Sequence, residues 1–480
     1  MDNTKQSVFS NLIWRFAERS GAQLVQFIVS IILARILKPE AYGTVALITV
    51  FIALLQVFVD SGLGNALIQK KDADDLDFST VFYTNIVFCL ILYTIVFLLA
   101  PAIARFYNDD SLIALTRVLS LTIVISGVKN VQQAYVSRKM IFKKFFFATL
   151  IGTIGAAFLG ILLAFNGFGV WALVAQQLFN LTVDTIVLWI TVQWRPKKMF
   201  SFQRLKQLFS FGWKLLVSSV LDTTYNNLRQ LLIGKIYTAE DLAYYNRGKQ
   251  FPSVIVTNID TSIDSVLFPT MSQNQDNKER IKEMTRRSIK TSCFIMAPLM
   301  VGLIATSTNV VKLLLTEKWL DCVPYLCIFC ITCIFYPIHT ANLNAIKAMG
   351  RSDLFLKLEI VKKTIGLIVL LSTIWISVKA MAYSLLVTDF IGQIINSFPN
   401  KKILGYGYTS QLKDILPSVI LSIFMGVVVY IINFIKLPII VTLIIQVIVG
   451  IVIYIIGSKI MKIDSFEYLQ KIVLEKVKRK

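Results

Sequence analysis

Apolar runs long enough to cross a bilayer, about 20 residues each, follow one another along the chain with short polar links between them. About fourteen can be read, at 12–37, 43–68, 79–104, 112–136, 146–165, 168–193, 211–236, 250–272, 290–315, 321–347, 356–378, 380–400, 414–435 and 437–458. The pattern predicts an all-α polytopic membrane protein. Two further stretches have one apolar and one basic face and predict helices lying at the membrane surface. One is 200–211, with Phe202, Leu205, Leu208 and Phe209 opposed to Arg204 and Lys206. The other is 466–480, with Phe466, Leu469, Ile472 and Val473 opposed to a basic end. The charged stretch 276–290 predicts a solvated helix end.

The first run does not suit hydrocarbon, because Arg15, Glu18 and Arg19 lie in its first turns. With Gln23 and Gln26 they fall at helical spacing on one face, a single polar stripe. A second such helix opens at Trp213, where Lys214, Ser218, Asp222, Asn226 and Arg229 again share a face. Trp14, Arg15 and Ser20 recur as Trp213, Lys214 and Ser219. The segment Ala34 to Glu40 is echoed by Gly234 to Glu240 after about 200 residues, and Gln133-Ala134-Tyr135 by Asn344-Ala345-Ile346 after about 211. An offset spanning six helices preserves orientation, so the repeats are parallel and related by an axis along the membrane normal. The expected layout is a six-helix lobe at 1–200, a second at 201–405, and two additional spans with a basic amphipathic tail at 406–480. The lobes are expected to surround a central cavity.

Composition narrows this. The chain has 480 residues, 56% of them hydrophobic, and a formal charge of +21. Such a charge suggests nucleic acid in isolation, but the cations cluster at the ends of apolar runs, as the positive-inside rule expects. Lys70 and Lys71, Arg138 to Lys144, Arg195 to Lys206, Lys278 to Arg287, Lys347 to Lys357, Lys401 and Lys402, and the last residues all fall on one side. The opposite links are short and poorer in cations. Both termini are expected in the cytoplasm, with no nucleic-acid partner. The first run is too charged and too long for a cleaved signal peptide. Cys327, Cys330 and Cys333 recur every third residue, yet within an apolar run where thiols pack as small hydrophobes. His339 is the single histidine. No metal or cofactor is expected.

If the leading helices of the lobes face each other, Arg15, Arg19, Lys214 and Arg229 line a positive cavity that attracts an anion. The alternative for Arg15, Arg19 and Lys214 is snorkelling to the interface, which does not require a matched cation in the duplicate or a stripe of amides below it. Asp60 is either a cavity group or, with Gly62 and Gly64, a break in the second span. Gln176, Gln177, Asn180 and Asp184, and likewise His339, Asn342 and Asn344, are interhelical hydrogen-bond partners or cavity groups. Lys235, Arg247 and Lys249 read as solvated surface cations on the outer side. No buried carboxylate is marked out for ion coupling.

The segment Arg35-Ile36-Leu37-Lys38-Pro39-Glu40-Ala41-Tyr42-Gly43 after a first span, then Asp60-Ser61-Gly62-Leu63-Gly64-Asn65-Ala66-Leu67 closing the second, carries a resemblance. It resembles the polysaccharide-transporter branch of the multidrug, oligosaccharidyl-lipid and polysaccharide exporter superfamily. Within that branch it resembles Wzx-type flippases of the lipopolysaccharide and colanic-acid exporter group. The resemblance implies translocation of an undecaprenyl-pyrophosphate-linked oligosaccharide across the bacterial cytoplasmic membrane by alternating access. It implies a pyrophosphate site among Arg15, Arg19, Lys214 and Arg229, carried over by position, with Glu18, Gln23, Asp60 and Asp222 as polar neighbours. A polysaccharide polymerase and glycosyltransferases are the implied partners. A drug/cation antiporter of the same superfamily would want carboxylates rather than cations in the leading helices. A membrane glycan polymerase or ligase would need a sizeable external loop, and none of the outer links is long enough.

Overall fold

The computed structural model describes residues 21–60, 63–70, 72–139, 141, 143–435 and 437–478. All regular structure among them is helical, and it divides into two compact units, 1–243 and 244–480. Ten helical segments among the described residues are long and apolar enough to cross a membrane. The expected all-α polytopic class is therefore found.

In the first unit the elements are α1 (Gly21–Ile36), then α2 (Pro39–Asp60), α3 (Leu63–Gln69), α4 (Asp75–Tyr107), α5 (Ser111–Leu119), α6 (Leu121–Lys139), α7 (Lys143–Phe165), α8 (Val170–Thr191) and α9 (Phe202–Ile236). Helix α10 (Ala239–Ser272) begins here and continues into the second unit. The second unit adds α11 (Lys278–Leu314), α12 (Val323–Ile334), α13 (Tyr336–Ala348), α14 (Ser352–Thr373), α15 (Val378–Leu404), α16 (Tyr408–Ile431), α17 (Ile439–Ile460) and α18 (Asp464–Lys478). The expected runs that fall on α9, α10 and α14 are not among these ten segments.

Starts and stops follow local chemistry. Asp74 and Asp77 form a reciprocal capping box at α4, each carboxylate accepting from the other's backbone N–H at 3.0 and 3.2 Å. Ser201, Asn277 and Ser377 cap α9, α11 and α15 through their side-chain oxygens. Ser201 begins α9 and nothing interrupts it for 35 residues. The separate surface helix expected at 200–211 is thus the first part of α9, with Leu208 buried against Leu67, Phe78, Val131 and Trp194.

Helices α7 and α8 form an antiparallel pair. On α7 the small residues Ala148, Gly152, Ala156, Gly160 and Ala164 recur every fourth position, all buried. A Cβ on Gly152 would lie 2.9 Å from Asn180 Oδ1, and one on Gly160 3.1 Å from Gln176 Cβ. This is the small-residue spacing that lets membrane helices approach closely.

The two turns singled out as duplicates have the same local structure. Helix α1 ends at Ile36 and α2 begins at Pro39; α9 ends at Ile236 and α10 begins at Ala239, about 200 residues on. They also pack against one another. A Cβ on Gly43 would lie 1.7 Å from the Ala239 carbonyl oxygen, and one on Gly234 would lie 2.1 Å from Leu47 Cδ2.

In the second unit the core gathers Met271, Ile281, Cys293, Ile338, Ala345, Leu404 and Ile415. The charged stretch expected as a solvated end opens α11, and its Ile281, Thr285 and Ile289 are fully buried. The amphipathic tail forms α18, whose Phe466 and Leu469 pack on Phe294, Leu421 and Tyr454. Asp464, at its start, is ion-paired with Lys290. That lysine's hydrogen bond holds the Asp464 carboxyl below its ordinary value. The contact therefore stabilises the docked tail above the ordinary carboxylate pKa of about 3.9 and is lost as pH falls through the lower folded value. Its side chain is 76% exposed, so the effect is small, up to about 1 kcal/mol. Limited trypsinolysis at Lys462, followed at pH 7, is expected to be faster in Asp464→Asn than in the wild type; unchanged cleavage in that variant would contradict the assignment.

Candidate functional site

Two polar features in the first unit stand inside helices that otherwise suit a membrane. The first is on α9. Trp213, Val217 and Leu221 are 45%, 48% and 65% exposed and form an apolar stripe at i, i+4 spacing. Ser218, Asp222 and Asn226 are also exposed and form a polar stripe, about 100° around the helix. Helix α1 does the same on a smaller scale: Leu24 and Ile28 are exposed at 61% and 48%, and Gln26 is exposed on a different face. A helix with one apolar and one polar exposed stripe stands between lipid and water.

The second feature is a chain of polar groups across α2, α4, α6 and α8. Asn85 Nδ2 donates to Asn130 Oδ1 at 3.3 Å, and Asn130 Nδ2 reaches Asp60 Oδ1 at 3.4 Å. Gln56 Nε2 donates to both Asp60 oxygens at 3.1 and 3.2 Å. Beside it, Lys129 is ion-paired with Asp184. Their side chains are only 13% and 11% exposed, and Asp184 Oδ1 has no hydrogen-bond partner among the described residues. Gly64 permits the arrangement, because a Cβ there would lie 2.6 Å from Asn130 Oδ1.

Next to these, a charged clamp ties α3, α4 and the start of α9. Lys70 pairs with the fully buried Asp77 at 2.7 Å, Lys197 with Asp75 at 2.5 Å, and Arg204 lies 3.7 Å from Asp74 and 3.8 Å from Asp77. Trp194 Nε1 donates to Asp75 at 3.1 Å, while the Trp194 carbonyl accepts from Gln132 at 3.1 Å. The Asp77 backbone N–H, and more weakly Arg204, hold the Asp74 carboxyl below its usual range.

The second unit has its own buried amide network. Asn342 Nδ2 donates to Gln411 Oε1 at 2.9 Å and to Ser397 Oγ at 3.2 Å, and Asn400 Nδ2 donates to Asn342 Oδ1 at 2.6 Å. Arg286 grips Asp414 with two bonds of 2.7 Å, and the Tyr406 hydroxyl donates to the same carboxylate at 2.8 Å. Burial, and then the bond to Asp414, push the Tyr406 phenol up from its ordinary value.

Arg15, Glu18 and Arg19 lie outside the described residues. Gln23 is half-buried on α1, Asp222 is exposed on α9 and Arg229 is half-buried near its end; Lys214 is placed within α9, its side chain not among those described. Asp60 is the last described residue of α2 and joins the polar chain, while residues 61 and 62, where a break in the span is expected, lie outside the described residues. Arg247 departs from expectation. It is 5% exposed, its guanidinium 4.9 Å from the Trp319 ring, because the stack and a 2.6 Å bond to Gln250 replace its hydration. Lys129 was not marked out by sequence, although a lysine in the interior of the run 112–136 is itself a signal.

The sequence pattern of a family described as polysaccharide biosynthesis protein matches residues 32–324. The teichuronic acid biosynthesis protein TuaB of Bacillus subtilis (strain 168) is 27% identical over 301 residues, 62% of each chain. The succinoglycan biosynthesis transport protein ExoT of Rhizobium meliloti (strain 1021) is 26% identical over 314 residues, 65% of this chain and 64% of its own. The match thus spans less than two thirds of either relative. The lipopolysaccharide biosynthesis protein WzxC of Escherichia coli (strain K12) is 24% identical over 425 residues, 85% of each chain. Among solved structures, the lipid II flippase MurJ in an inward closed conformation superposes with a TM-score of 0.78 at 16% identity, over 94% of this chain and 99% of its own. An inward-facing multidrug resistance MATE family transporter of the MOP superfamily superposes with a TM-score of 0.63 at 16% identity, over 80% and 94%. With its helices in the arrangement of these transporters and a family match over more than half its length, the chain is a multi-pass membrane protein that belongs to the polysaccharide biosynthesis protein family.

Proposed function

We propose that the protein is a flippase that carries an undecaprenyl-pyrophosphate-linked oligosaccharide from the cytoplasmic to the periplasmic leaflet of the bacterial inner membrane by alternating access, for surface polysaccharide assembly. The observation that carries this reading is the double exposure of α9, an apolar stripe beside a polar one. A lipid-linked glycan has the same two sides. Its polyprenyl tail stays in lipid along Trp213, Val217 and Leu221, while its polar part enters water beside Ser218, Asp222 and Asn226. Arg15, Arg19, Lys214 and Arg229 capture the pyrophosphate through charge-assisted hydrogen bonds. Glu18, Gln23, Asp60 and Asp222 complete the polar surround and meet glycan hydroxyls. The six-helix lobes 1–200 and 201–405 rock about the substrate, with 406–480 as an appended pair of spans. Both termini are cytoplasmic. Glycosyltransferases supply the lipid-linked glycan and a polymerase consumes it. Similarity to the lipopolysaccharide biosynthesis protein WzxC, the succinoglycan transport protein ExoT and the lipid II flippase MurJ supports the substrate class.

The test is surface accessibility of lipid-linked glycan in spheroplasts. Arg15→Ala with Lys214→Ala is expected to slow export by roughly 10- to 100-fold, the loss of about 1.5–3 kcal/mol of charged hydrogen bonding. Export at the wild-type rate with both substitutions in place would refute the assignment.

A second reading, a drug/cation antiporter, draws on one observation: the carboxylates Asp60 and Asp184 lie within membrane helices of the first unit. Uptake of an organic cation by proteoliposomes, undiminished by Arg15→Ala and abolished by Asp184→Asn, would favour it.

A further inference from the structure

Positive charge captures a pyrophosphate but does not distinguish sugars, and the second unit carries a polar set that anion capture does not use. His339 lies on α13, inside a segment long and apolar enough to cross a membrane. Its Nδ1 is 2.8 Å from Asn396 Nδ2 of α15. An amide nitrogen only donates, so Nδ1 accepts and the neutral ring carries its hydrogen on Nε2. One turn earlier on α13 stands Tyr336, its ring centroid 6.3 Å from the imidazole. That tyrosine is 43% exposed.

Three more helices bring charges to the same place. A Cβ on Gly392 of α15 would lie 3.2 Å from His339 Cε1 and 3.6 Å from Lys362 Cδ, so the imidazole and the stem of this α14 lysine flank one glycine. Lys362 pairs with Glu359, one turn earlier on α14, at 2.5 Å. Their side chains are 19% and 26% exposed. Asp389, one turn before Gly392, and Lys249 of α10 both lie near Cys333 of α12, which is one turn before Tyr336 in sequence. Lys249 is exposed and Asp389 half-buried.

Ionisable groups among membrane helices are expensive, and they face water or one another. Here they do both, since the Lys362–Glu359 pair is partly open and Lys249 is exposed beside the open Tyr336 ring. The signs decide the class of ligand. Arg15, Arg19, Lys214 and Arg229 are all cationic, which suits an anion. Lys249 and Lys362 are instead matched in number by Glu359 and Asp389, and Lys363, the next residue of α14, is turned about 100° away from Lys362. A balanced set selects neither an anion nor a cation. What it offers is donors and acceptors side by side, next to an aromatic face. A sugar ring has the complement of that arrangement: each hydroxyl is one donor and two acceptor lone pairs, and the C–H face of the ring packs on an aromatic side chain.

We propose that this face of the second unit is a sugar subsite, in which Tyr336 stacks on a sugar of the lipid-linked glycan, Glu359 and Asp389 accept from its hydroxyls, and Lys249 and Lys362 donate to them. His339, held by Asn396, is a positioning residue beside the Tyr336 ring. The subsite rests on the flippase reading and adds to it the recognition of the glycan itself.

The test compares two ligands on full-length protein in nanodiscs: polyprenyl pyrophosphate without sugar, and the lipid-linked glycan extracted from the cells to which the protein is native. The wild type is expected to bind the glycan-bearing lipid at least about tenfold more tightly, the worth of one or two hydrogen bonds. Tyr336→Ala and Glu359→Gln are expected to bind both lipids alike, at the wild-type affinity for the sugar-free one, and Tyr336→Phe, which keeps the ring, to retain the preference. Tyr336→Ala and Glu359→Gln proteins that melt earlier yet keep the full preference overturn the subsite, because their role is then in the fold alone. A wild type that binds both lipids equally overturns the subsite and leaves anion capture standing. A wild type that binds neither overturns the flippase reading, and the subsite with it.

Discussion

Gly43→Ala, the addition of one methyl group, is expected to cost more than about 3 kcal/mol and to leave little folded protein. The added Cβ would lie 1.7 Å from the Ala239 carbonyl oxygen and 2.4 Å from its carbonyl carbon. Both are backbone atoms at the first turn of α10, held by the helix they begin, so relief requires one turn to retreat from the other. Gly234→Ala is the matched control. Its Cβ would meet Leu47 Cδ2 at 2.1 Å, the far end of a flexible side chain, and a rotamer change limits the cost to about 1–2 kcal/mol. Melting followed by tryptophan fluorescence in detergent separates the two. A Gly43→Ala protein that melts within a degree of the wild type would show that the turns do not touch as described.

Lys129→Met is expected to destabilise the protein by about 3–5 kcal/mol, and Lys129→Met with Asp184→Asn by far less. The single substitution leaves a carboxylate 11% exposed with one oxygen already unpartnered among the described residues. An isolated charge in that position is either desolvated at large cost or must take up a proton. The double variant removes both charges and keeps the volume. If the single variant is as stable as the double in the same melting assay, the pair is not the enclosed ion pair described.

Much of the fold was legible because bilayer thickness imposes a length that sequence cannot hide. The apolar runs fall on helices, and the segment from Ala34 to Glu40 announced its duplicate because a turn has few ways to be built. What composition could not reveal depends on neighbours distant in sequence. Phe202 and Arg204 gave an amphipathic pattern that suits a surface helix and the first turns of a longer helix equally well. Arg247 read as a solvated cation until Trp319 was placed against it. Of the candidate site, the stripe of Ser218, Asp222 and Asn226 was visible from spacing alone. Lys129 and Asp184 are 55 residues apart, and no periodicity within one helix pairs them. Asp60 was visible as a polar residue at the end of its apolar run, but its link to Asn130 was not.

The continuity of α9 has a mechanical consequence. Thirty-five residues make a rod about 52 Å long, gripped at its start by the acidic residues Asp74 and Asp77 through Arg204 and wedged at its finish against Leu47. A rod of that length turns small angles into useful displacements: a 5° tilt about one end carries the other through about 4.5 Å, close to one helical turn. Whatever loosens the acidic grip at the surface is thereby felt at the far turn, and the wetted stripe lies along the shaft between them.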